Sequence, residues 1–214
     1  MLSRIAYNLK YAVQPRKPLL VARLFIQLLR SLLGMNPLRY VDFALDFTCN
    51  QNCQHCFART YDHQASKGRD CISSEQYRRI IRQAYELGAV SFSIQGGEPL
   101  TMLEKAESLL RLIPVSRCLV SLKTNGALLN RATARRLKAL GVDIVTISID
   151  SGLAWEHDAF RGRKGAFIRA VRAQATARQE GLKVIVACTI SRSNAQSEGV
   201  LSLIELCREW GVLL

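Results

Sequence analysis

Five times after residue 40, a short apolar run is followed by a segment with helical periodicity. Tyr40–Phe47, Ala89–Ile94, Arg117–Lys123, Val142–Ile149 and Leu182–Ile190 read as strands. Ser73–Gly88, Thr101–Leu112, Asn130–Leu140, Gly165–Glu180 and Ser197–Trp210 read as helices, with Ser73 or Ser74 as one N-cap and Gly88 and Gly141 as stops. Strands this short alternating with helices predict right-handed βαβ crossovers and a parallel sheet, open or curled toward a barrel. Gly211-Val212-Leu213-Leu214 starts a further strand, and the sequence stops there.

In both forms of such a sheet, ligands bind at the carboxyl ends of the strands. The strand bodies read as apolar, whereas polar and glycine residues follow each one. A cysteine-rich loop comes after the first strand, Gly96-Gly97-Glu98 after the second and Thr124-Asn125-Gly126 after the third. Ser148 and Asp150 close the fourth, and Thr189, Ser191, Arg192 and Asn194 the fifth. Five such turns on one rim predict a composite site.

Three of the seven cysteines, Cys49, Cys53 and Cys56, fall within eight residues. The other four are scattered and read as small buried hydrophobes, so a secreted disulfide framework is excluded and a reducing cytoplasm expected. Three thiolates in one loop suit zinc or an iron–sulfur cluster. A structural zinc site takes four protein ligands, and His55, adjoining Cys56, would strain the loop as the fourth. A four-iron cluster on three cysteines leaves one iron open, which fits a catalytic centre better.

Cys49-x3-Cys53-x2-Cys56 with Phe57 next, followed by Gly96-Gly97-Glu98-Pro99, resembles the radical S-adenosylmethionine (SAM) superfamily. Thr124-Asn125-Gly126 and Ser148-Ile149-Asp150 resemble the branch with molybdenum-cofactor synthase A, the PQQ maturase and the anaerobic sulfatase maturases. The resemblance implies a partial (β/α)6 TIM-like barrel over residues 40–214, its sixth strand cut off. It implies a [4Fe–4S] cluster on Cys49, Cys53 and Cys56 whose fourth iron chelates SAM. One-electron reduction then yields methionine and a 5′-deoxyadenosyl radical that takes hydrogen from a peptide or small precursor. An electron donor such as flavodoxin or ferredoxin is implied as well. Gly96 and Gly97 would let the backbone approach the cofactor, Glu98 accept from its ammonium group, and Thr124 close the same rim. Ser148 or Asp150 would meet the ribose, Phe57 and the apolar strand end near Val186 the adenine, and Arg161 or Asn194 the carboxylate. His55, His63 and His157 read as surface residues. An incomplete barrel is expected to hold a cluster weakly.

Residues 1–39 lie outside the resemblance and read as a basic helical extension. Of 30 basic and 17 acidic residues, seven basic ones (Arg4, Lys10, Arg16, Lys17, Arg23, Arg30, Arg39) and no acid lie in residues 1–41. A first helix covers Ile5–Val13. In Leu19–Leu33, Arg23, Gln27 and Arg30 make one polar stripe on an otherwise apolar helix. Such a helix packs against its own domain or lies on an anionic membrane surface. The three interruptions exclude a membrane span. A metal- or nucleic-acid-binding module using the basic arm is the alternative from another class. The low aromatic content, 7%, and the absence of a nucleic-acid motif count against it.

Overall fold

The computed structural model describes residues 17–56 and 72–214. The helix expected over Ile5–Val13, as well as Phe57, His63 and Cys71, lie outside them. Five strands form one sheet: β1 (Tyr40–Ala44), β2 (Ser91–Gln95), β3 (Leu119–Thr124), β4 (Ile144–Ser148) and β5 (Lys183–Ala187). They pair in sequence order and all in parallel. Leu213 bridges Ile185 in parallel, so the expected further strand has begun against β5.

The helices are α1 (Pro18–Leu32), α2 (Ser74–Glu86), α3 (Leu103–Leu110), α4 (Arg131–Ala139), α5 (Ala154–Arg161), α6 (Ala166–Gln179) and α7 (Glu198–Trp210). A 3-10 turn, Pro99–Met102, leads into α3. Local chemistry sets the starts. Ser73 and Gln76 close a capping box on α2, and Asn130 and Ser197 cap α4 and α7.

The register separates two faces of the sheet. Phe43, Ile94, Leu122, Val145 and Val184 form one row across it, and Phe92, Val120, Ile147 and Val186 stand on the same side. All are buried in the core between sheet and helices. The alternate positions carry Asp42, Ser93, Gln95, Lys123, Thr146 and Ser148. The strand bodies are therefore apolar on one face only, which corrects the sequence reading. A parallel sheet covered by helices on both faces would not tolerate such a row; a sheet curled around a polar interior requires it.

Helix α1 lies across the amino-terminal foot of this sheet, and its orientation is unexpected. The polar stripe faces the protein. Arg23 donates to the carbonyls of Tyr85 and Ala89, and its guanidinium lies 3.6 Å from the Tyr85 ring centre. Gln27 is buried, while Phe25, Leu28, Leu32 and Leu33 are exposed. At the start of the helix, Lys17 Nζ reaches Asp143 at 2.5 Å and the carbonyls of Cys118 and Gly141 at 3.0 Å each. Asp143 also accepts from the Val120 amide at 2.8 Å.

The Lys17–Asp143 pair is more than nine-tenths buried on both sides. Removing one partner strands the other charge, which typically costs about 3 kcal/mol. Lys17→Met is expected to lower stability by about that much in urea denaturation, and Lys17→Met with Asp143→Asn to lose less. Equal losses in single and double variants would show that the pair does not anchor α1.

Candidate active site

The cysteine loop leaves β1 and is held from two sides. On one side it meets the β2 turn: Gly97 donates to the Asp46 carbonyl at 2.7 Å and Glu98 to the Thr48 carbonyl at 2.9 Å. A side chain on Gly96 would put its Cβ 2.5 Å from the Asp46 carbonyl oxygen, and one on Gly97 would collide with that of Thr48. These glycines therefore admit the close approach of the protein's own chain, and both also line the cavity described below.

On the other side the loop caps the carboxyl end of α5. The carbonyls of Arg161 and Phe160 accept from the amides of Asn52 and Gln54 at 3.3 and 3.0 Å, and that of Ala159 from the Gln54 side chain at 3.2 Å. Orphan carbonyls of a helix end are satisfied this way. Gly162 ends α5 with φ of +60°, and a Cβ there would strike the Asn52 carbonyl. His55 stacks on Phe160 with ring centres 4.4 Å apart.

Thus held, Cys49, Cys53 and Cys56 line one cavity of about 290 Å3 with Gly96, Gly97, Thr124, Ser148 and Arg161. Burial pushes the Cys49 and Cys53 thiols up, and Arg161 opposes it at Cys53 with Nη1 3.7 Å from Sγ. Among the described residues, no three His, Cys, Asp or Glu side chains stand where one metal ion would hold them together. In a four-iron cluster each cysteine ligates a different iron, so thiols ring a cavity and need not meet at a point. The donor set fits a cluster.

Other expected residues stand elsewhere. Glu98 is fully buried beneath the cavity. Its carboxylate accepts from the Thr124 hydroxyl and Asn125 amide, both at 2.7 Å, and from the Leu100 amide at 3.0 Å. Burial raises its pKa against those donors. It ties the β2 turn to the β3 turn. Asp150 takes Arg161 Nε at 2.6 Å on one oxygen and the Thr189 amide at 2.9 Å on the other. Asn194 closes its own turn through Ser191 and Thr189, and lines a neighbouring cavity with Asp150. Val186 lies in the helix-side core. Phe57 is outside the described residues.

Gln95 and Lys123 escape sequence reasoning; they line the cysteine cavity with Thr189, expected on the rim, and with His55, expected at the surface, whose Nδ1 is buried without a protein partner. Lys123 reaches Gln95 at 2.9 Å and Asp42 at 3.1 Å. Polar residues at alternate positions near strand ends were the available signal. His157 corrects a surface reading: it is 1% exposed, and its Nδ1 accepts the Asp150 amide at 3.1 Å.

The profile of the radical SAM superfamily matches residues 47–199. The chain is 32% identical over 148 residues to the Fe-coproporphyrin III synthase of Methanosarcina barkeri, covering 69% of this chain and 36% of that protein. It is 31% identical over 179 residues to the AdoMet-dependent heme synthase of the same organism, covering 83% and 49%. The chain thus spans half or less of the length of these relatives. Among solved structures, anSMEcpe with bound AdoMet superposes with a TM-score of 0.64 at 23% identity, over 82% of this chain and 49% of that one. Streptococcus suis SuiB bound to its precursor peptide SuiA gives 0.66 at 22%, over 82% and 38%.

Burial first, then the Arg161 charge, hold His157 down at about 4. An unfolded histidine titrates near 6.5. Between those values the unfolded chain binds a proton that the folded one refuses. The stability this neutral ring contributes is complete above pH 6.5 and is lost as pH falls toward 4, on the order of 3 kcal/mol. Urea midpoints of the apoprotein at about pH 7.5 and 4.5 are expected to differ more in the wild type than in His157→Gln. Equal differences would remove His157 as the responsible group.

Proposed function

The chain belongs to the radical SAM superfamily, and from that premise we propose that Cys49, Cys53 and Cys56 hold a [4Fe–4S] cluster whose remaining iron takes SAM. The observation that carries this reading is the convergence of all three thiols on one cavity with Gly96, Gly97, Ser148 and Arg161. When bound, the reduced cluster supplies the electron that cleaves SAM to methionine and a 5′-deoxyadenosyl radical, which takes hydrogen from the substrate.

The chain's own residues divide the remaining work. Arg161, fixed by Asp150, presents cationic N–H donors beside Cys53, where the SAM carboxylate would add a second anion. Ser148 ends β4 on the cavity wall and offers a hydroxyl to a ribose. His55 brings an unpartnered ring nitrogen to the same wall. Glu98 acts through others, fixing Thr124 and Asn125 below the site.

The substrate is proposed as a small precursor or a peptide, and the electron donor as a flavodoxin- or ferredoxin-type protein. Support comes from relatives named as synthases and from a fold neighbour solved with a precursor peptide. Residues 40–214 are proposed as the catalytic core and 1–39 as its extension. A reducing cytoplasm suits six described cysteines that are all free. Against a nucleic-acid module stands the engagement of Lys17 and Arg23 by the protein's own carbonyls and Asp143.

Anaerobic reconstitution with iron and sulfide tests the proposal. The reduced protein is expected to show a [4Fe–4S] electron paramagnetic resonance signal that SAM perturbs. Cys53→Ala is expected to lose it, and Cys118→Ala, a core substitution away from the cavity, to keep it. Zinc in place of iron, or a signal indifferent to SAM, would overturn the reading.

A further inference from the structure

Helix α1 turns its apolar face to solvent. Phe25, Ile26, Leu29, Leu32 and Leu33, with Met35 just beyond, are between 43% and 80% exposed. The patch continues onto Leu38, whose amide donates to the Leu87 carbonyl at 3.0 Å; both side chains are exposed. Contiguous apolar surface of this kind marks an interaction site. Meanwhile Lys17 and Arg23, which would ordinarily face water, hold the helix to the barrel, and Gln27 is buried.

We propose that this foot docks on the surface of an anionic lipid bilayer, with α1 lying in the interface. Charge selects that occupant. Residues 1–41 carry seven basic side chains and no acid; Lys17 and Arg23 are engaged by the protein itself, while Arg30 and Arg39 flank the exposed apolar turn. A second copy presenting the same face would bring like charges together, whereas an anionic membrane complements them. Among the described residues no helix is long and apolar enough to cross a membrane, so the helix lies on the surface. Lys17 and Arg23 reach groups that precede β2, β3 and β4. The cysteine cavity sits at the opposite strand ends, so docking leaves it open to the aqueous side.

The proposal does not depend on the cluster chemistry, and vesicle flotation tests it separately. The wild type is expected to float with phosphatidylcholine vesicles containing roughly one-third phosphatidylserine, about tenfold more than with neutral vesicles, and to be released by high salt. Phe25→Glu with Leu32→Glu and Leu33→Glu changes only exposed side chains and should abolish flotation with an unchanged denaturation midpoint. Leu32→Glu with Leu33→Glu serves if the triple variant misfolds. Wild type that stays unbound, binds both vesicle types equally, or floats as well as the variants would overturn the proposal. So would a wild-type dimer that the variants convert to monomer without any flotation, which would make the face a self-association surface.

Discussion

Arg161 joins the cysteine loop to the sheet, and the geometry of the site depends on that join. Its Nε lies 2.6 Å from Asp150 at the end of β4, its Nη1 faces Cys53, and its carbonyl takes the Asn52 amide. A guanidinium this buried is costly unless paired, and Asp150 pairs it while also binding the Thr189 amide after β5. The Asp150 amide in turn donates to His157. One contiguous network thus connects two strand ends, a helix and the thiol loop. Cys53 meets this network through Arg161.

The Gly-Gly-Glu turn works on the other flank by a different principle. Its glycines make room for the chain at Asp46–Thr48, and its glutamate is consumed by three protein donors. The turn therefore builds the wall of the cavity through the protein's own contacts. A motif read as ligand-binding can owe its residue types to the packing of one loop against another. The two roles are compatible, because Gly96 and Gly97 still line the cavity.

Much of this was legible in the sequence because it rests on local signals. Strand–helix alternation, the helix starts near Ser73, Asn130 and Ser197, and the thiol spacing all report short-range chemistry. Helix α5 was not legible. It is eight residues long, and its N-cap is Leu153, which makes no side-chain cap hydrogen bond. Missing it put His157 on the surface. The inward row of Asp42, Gln95 and Lys123 was obscured by reading each strand as a uniform apolar run. Only the register shows that alternate residues face opposite sides.

Helix α1 shows the limit of amphipathic reasoning most clearly. Periodicity identifies two faces of a helix, and convention assigns the apolar one to the core. Here the surface awaiting the helix is the amino-terminal foot of a parallel sheet, rich in backbone carbonyls such as those of Ala89, Cys118 and Gly141. Carbonyls that end no ladder need donors, and Lys17 and Arg23 supply them. The polar stripe is thus the complementary face for this part of the protein. What the fold demands of α1 is hydrogen-bond donors, and its apolar side is left for whatever lies beyond the barrel.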